Sequence, residues 1–132
     1  MSSFQEQSPY EWIGGAEKVS QLVDAFYKRV QQHPDLKPIF PEDIIPVRDK
    51  QYLFLTQFFG GPHLYSEQYG HPMMRARHLP HEITPTRAEA WLSCMNEAMD
   101  EVEITGPIRE FLCTRLRQTA QHMVNTPDPE DN

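Results

Sequence analysis

Six histidines, His33, His63, His71, His78, His81 and His122, are the candidate metal ligands of the chain. No Cys-x-x-Cys or His-Glu-x-x-His accompanies them, and Pro80 interrupts the spacing from His78 to His81, so they form no zinc signature. His78 stands apart because Arg75 and Arg77 precede it closely, two cations able to pair with carboxylates. By residue habit alone, a solitary histidine there is more often an ordinary surface residue. A second group of exceptions is polar. Gln51 falls on the helical face made by Val47, Phe54, Leu55 and Phe58, where a buried amide without a partner would cost about 1 to 3 kcal/mol. Tyr27 lies one turn after Val23 on an apolar stripe, Trp91 lies on another, and each brings a donor that needs a partner when buried. Singly, each reads as a core residue whose polar tip reaches the surface. Together, on three helices, they outline a cavity of phenol, amide and indole amid Phe and Leu, as a small polar ligand on a metal would need.

The elements that must position these residues follow from apolar periodicity and from prolines that fall between the periodic stretches. Ser8-Pro9-Tyr10-Glu11 combines an N-cap, a proline at the first helical position and a capping-box acid, opening a short turn that Gly14-Gly15 closes. Val19, Leu22, Val23, Phe26, Tyr27 and Val30 predict an amphipathic helix over residues 16–32. Residues 33–46 read as a proline-rich corner with at most one helical turn, and a second helical face runs from Val47 to Phe58 before Gly60-Gly61-Pro62 ends it. Residues 63–80 read as a loop with one short helix, expected around 73–78. Thr84-Pro85 begins a long helix on Ala88, Trp91, Leu92, Met95, Ala98, Met99 and Val102. Gly106-Pro107 breaks it, and a final helix follows on Ile108, Phe111, Leu112, Leu116, Thr119 and Met123. With no alternating strand pattern and no internal repeat, the class is all-α, a single domain over 1–132 with a core of about 9–125 and a polar tail, 126–132, expected to fray.

Composition narrows the function. A chain of 132 residues supports one core, and a formal charge of −7 without a basic cluster disfavours nucleic acid and anionic membrane surfaces. No apolar run approaches the roughly 18 residues of a membrane span, and the first residues lack a signal-peptide pattern, so the expected compartment is the cytoplasm. Cys94 and Cys113 are expected to be reduced, buried thiols.

The run 60–80, with Tyr65-Ser66-Glu67-Gln68 and Arg75-Ala76-Arg77-His78, resembles the segment that leads to the proximal histidine of group II truncated haemoglobins, and so does Ala90-Trp91-Leu92-Ser93-Cys94-Met95. With Phe26-Tyr27 and Phe40-Pro41-Glu42-Asp43, the resemblance extends from Leu22 to Val124. It implies a two-over-two helical sandwich around haem b, with His78 as the iron ligand supplying a neutral imidazole. It further implies that Arg77 meets a haem propionate, with Lys50 and Tyr65 as further candidates, that Phe40 packs on the porphyrin, and that Arg75, Phe54 and Met74 are among the haem-binding residues. Tyr27, Gln51 and Trp91 would be the polar residues on the ligand side, with Val47 near the gate. Phe40 carries no hydroxyl where relatives have tyrosine, leaving one donor fewer.

The function implied is reversible O2 binding with slow release, by a monomer or homodimer that takes O2 and other small diatomic ligands. An alternative is a haem enzyme, an NO dioxygenase or peroxidase-like catalyst, which would need an external reductase. A third possibility, a cofactor-free helical interaction domain, predicts a colourless protein.

Overall fold

The computed structural model describes residues 8–71, 73 and 82–129. Every regular element among them is helical: Pro9–Ile13 (α1), Gly15–Val30 (α2), Ile45–Phe58 (α3), Leu64–Tyr69 (α4), Pro85–Glu101 (α5) and Pro107–Met123 (α6), with a 3-10 turn at Lys37–Ile39. The start signals act as the local chemistry requires. Ser8 accepts from the Glu11 amide while the Glu11 carboxylate returns to the Ser8 amide, and Thr84 accepts from the Arg87 amide ahead of Pro85. α2 packs on α3 and α5, and α5 packs on α6, which gives two helical layers. Val19, Leu22, Val23, Phe26 and Val30 bury one face of α2 against Leu55, Phe59, Met95, Met99 and Leu112. No helix among the described residues is long and apolar enough to cross a membrane.

A tight corner joins α1 to the end of α3. The Tyr10 amide donates to the Phe59 carbonyl at 2.8 Å, and the Gly61 amide donates to the Thr56 carbonyl at 2.8 Å. A Cβ on Gly61 would stand 2.8 Å from two Tyr10 ring carbons and 2.9 Å from the Thr56 carbonyl oxygen, so the glycine is required by close approach. Gly61→Ala is expected to lower stability by about 1 to 3 kcal/mol, as overpacking a filled core does. The drop is readable as an earlier denaturation midpoint.

Four expectations need correction or a limit. The stretch 63–80 forms α4 at Leu64–Tyr69, earlier than the helix expected around 73–78, most of which lies outside the described residues. α4 is held by tertiary contacts that its composition does not display. The Gln57 amide donates to Ser66 Oγ at 2.7 Å and accepts from the Ser66 amide at 2.9 Å, and Gly70 closes the helix at φ 81°. Phe111 is 49% exposed instead of facing the core, and lies outside beside the Arg115 guanidinium, which also stacks 4.5 Å from the Phe58 ring centre. Cys94 is buried but Cys113 is only half-buried, because it lines a cleft between α5 and α6; both are free thiols. The start of the tail is stitched down: Asn125 exchanges hydrogen bonds with Ile83, and Asp128 accepts from the Thr86 amide at 3.2 Å.

Candidate functional site

A cavity of about 360 Å³ opens among α2, α3, α4, α5, α6 and the corner that carries the 3-10 turn. Tyr27 comes from α2, Val47, Lys50, Gln51 and Phe54 from α3, Tyr65 from α4, and Trp91 from α5. The corner contributes Leu36, Ile39, Phe40 and Pro41, and the far wall is Leu116, Thr119, Ala120 and Met123 of α6. Tyr27, Gln51 and Trp91, singled out because each broke an apolar pattern, therefore share one cavity. So do Phe40, Lys50, Phe54, Tyr65 and Val47.

Aromatic packing fixes the two ring donors. Phe26, fully buried, meets Tyr27 edge-on with centroids 4.9 Å apart and Trp91 at 5.1 Å, and Phe40 meets Tyr27 edge-on at 5.8 Å. Adjacent positions on α2 thus supply both a donor and the ring that seats two donors. On the opposite wall Phe54 packs edge-on against Tyr65 at 5.8 Å.

Among the described residues, no hydrogen bond is made by the Tyr27 hydroxyl, the Gln51 amide or the Trp91 indole N–H. Tyr27 is only 2% exposed. Gln51 and Trp91 are half-buried, and convergence of the three groups on one cavity means that a polar ligand there would meet several donors at once. Among the described residues, Thr56 Oγ1 is the one fully buried side-chain polar atom without a partner, and it stands apart from this lining.

Burial pushes the Tyr27 hydroxyl pKa well above its ordinary value, so the phenol remains a donor at any neutral or moderately alkaline pH. The unfolded chain loses that proton near pH 10 whereas the folded chain keeps it. Above that point the folded state binds more protons, and stability falls as pH rises. Relative to Tyr27→Phe, the native chain should lose about 1.4 kcal/mol per pH unit above pH 10, measured by denaturant unfolding.

Cations stand on the cavity wall. Lys50 lies with its ammonium 4.6 Å from the Tyr69 ring centre. Arg87 also lines the cavity and donates to the Glu82 carbonyl at 2.6 Å. Arg87 was missed by sequence reasoning, although its position four residues before Trp91 on the same helix was a usable signal. A haem is a flat apolar body with two carboxylates. The walls of Phe40, Phe54, Ile83, Leu116 and Met123, with Lys50 and Arg87 as cations, fit such a group. His78, Arg75, Arg77 and Met74 lie outside the described residues, while Tyr65 before them and Ile83 after them line the cavity.

Comparison with known proteins adds an independent line. The family model described as bacterial-like globin matches residues 8–125. The chain is 61% identical over 124 residues to the group 2 truncated haemoglobin YjbI of Bacillus subtilis (strain 168), covering 94% of this chain and 93% of that protein. It superposes on the group II truncated haemoglobin of Bacillus anthracis with a TM-score of 0.92 at 60% identity, over 93% of this chain and 95% of the other. The truncated oxygen-avid haemoglobin of Bacillus subtilis gives a TM-score of 0.87 at 62% identity, over 90% and 100% of the two chains.

Proposed function

The chain belongs to the bacterial-like globins, as a group II truncated haemoglobin, and from that premise we propose that it binds O2 reversibly and releases it slowly, using Tyr27, Gln51 and Trp91. Haem-based binding of small ligands follows from the family; the choice of O2 rests on the convergence on one cavity of three polar side chains that have no hydrogen-bond partner among the described residues. The relative described as oxygen-avid supports the same choice.

Ferrous haem, when bound, supplies an iron that binds diatomic ligands reversibly and makes O2 a stronger hydrogen-bond acceptor than CO. The protein residues do the discriminating. Tyr27, kept protonated by burial, donates its O–H, Trp91 can only donate, and Gln51 can donate or accept. Phe40, Phe54 and Ile83 make the cavity wall apolar, and hydrogen bonds in such surroundings are stronger than in solvent. Lys50, Tyr65 and Arg87, with Arg77, are assigned to the haem carboxylates, Phe40, Phe54 and Met74 to its apolar faces, and Arg75 to the haem site beside His78. His78 is assigned to the iron, and Val47, one turn before Gln51, to the ligand entrance.

Cycling the reduced, haem-loaded protein between nitrogen and air tests the reading. Reversible binding predicts the same visible spectra on each cycle, with O2 recovered in full. Net O2 consumption sustained by an added reductant and NO would contradict it and place the protein among haem enzymes instead.

A further inference from the structure

α3 carries Val47, Lys50, Gln51 and Phe54 into the cavity, yet its N-terminus is poorly secured by its own sequence. The N-cap position is Ile44, which has no capping side chain, and only Asp43 Oδ1 reaches the Ile45 amide, at 3.2 Å. The first turns are tied instead to the neighbouring helix. Arg48 Nε donates to Asp24 Oδ1 at 2.7 Å, and Nη2 donates to Ser20 Oγ at 2.7 Å and to the Ser20 carbonyl at 3.3 Å. The guanidinium also lies 5.8 Å from the Tyr52 ring centre, and its side chain is only 21% exposed. An exposed ion pair contributes little, and the Asp24 carboxylate is 66% exposed, but the guanidinium is mostly covered and its fork reaches a hydroxyl and a main-chain carbonyl of Ser20 besides that carboxylate.

The placement of the partners gives the clasp its meaning. Asp24 is three residues before Tyr27 on α2, and Arg48 is three residues before Gln51 on α3. The clasp therefore sits one turn from both donors and sets the register between the helices that carry them.

We propose that Arg48 is a positioning residue, which through Asp24 and Ser20 holds the Gln51 amide where it acts together with the Tyr27 hydroxyl on the ligand. The assignment rests on the O2-binding reading above. Arg48 does not line the cavity, so its influence on ligand release must pass through α3.

The test is a double-mutant cycle on the haem-loaded protein, with O2 release rates measured for wild type, Arg48→Met, Gln51→Leu and the double variant. Amide hydrogen exchange over residues 45–51 and the C–O stretching band of the carbon monoxide complex are read beside them. Arg48→Met is expected to speed release about three- to tenfold, the scale of coupling between residues in one network. It should also hasten exchange over 45–51 and broaden or split the C–O band. In the Gln51→Leu background the same change should alter release by less than about twofold. Arg48→Lys, which reaches Asp24 without the fork to Ser20, should fall between wild type and Arg48→Met, and serves if the methionine variant does not fold.

Equal acceleration in both backgrounds would overturn the proposal, since Arg48 would then act without Gln51. If Gln51→Leu speeds release and neither Arg48 variant does, the assignment of Arg48 alone fails. If Gln51→Leu leaves release unchanged, the reading of the site fails at Gln51 and the assignment of Arg48 falls with it.

Discussion

Tyr27→Phe should speed O2 release by about ten- to a hundredfold, the rate equivalent of losing one hydrogen bond of about 1.5 to 3 kcal/mol to a charge-bearing acceptor. The substitution removes the hydroxyl and nothing else. The ring contacts to Phe26 and Phe40 are retained, so the apolar seat is intact. Because the Tyr27 hydroxyl has no hydrogen-bond partner among the described residues, its loss strands no second group among them. CO release should change much less, because bound CO is the poorer acceptor. Flash photolysis or stopped-flow displacement of O2 by CO reads both rates. An equal change for both ligands would point to altered access to the cavity rather than a lost hydrogen bond.

His78→Ala should have the other large effect, on the cofactor itself. If His78 holds the iron, its loss leaves apolar burial and carboxylate pairing to hold the haem, and the affinity should fall by about a hundredfold or more, the upper end of what removing a mere outer partner of a metal ligand costs. The absorption spectrum of the reduced protein should change at the same time. Imidazole added in solution should restore much of the original spectrum by occupying the vacated position. Replacing His33, His63 or His122, none of which lines the cavity, should leave haem uptake unchanged.

Much of this was legible in the sequence because the informative residues were exceptions to a strong pattern. Val19, Leu22, Val23, Phe26 and Val30 established the buried face of α2 by period alone, and against them Tyr27 stood out as a donor. The same contrast exposed Gln51 on α3 and Trp91 on α5, and the cavity brings all three together. His78 differs: its period and spacing were compatible with a surface histidine, and only the resemblance of residues 60–80 to one family gave it a role.

The features that escaped depend on what lies next to a residue in space. α4 forms because Gln57, seven residues upstream of Leu64, clasps Ser66, a pairing that no local propensity reports. Arg87 reads as the polar first turn of a helix until Ile83 and Met123 are seen to share its cavity wall. Phe111 satisfied the period of α6 but lies outside beside Arg115. Arg48 was equally silent, since its meaning lies in the register of α2 against α3.

The most direct measurement is the O2 dissociation rate of the haem-loaded chain beside that of the triple variant Tyr27→Phe, Gln51→Leu, Trp91→Phe, which keeps an apolar cavity and removes all three polar groups. If these residues hold the ligand, the wild type releases O2 slowly and the triple variant at least about tenfold faster; equal rates would contradict their assignment and return Tyr27, Gln51 and Trp91 to ordinary packing residues.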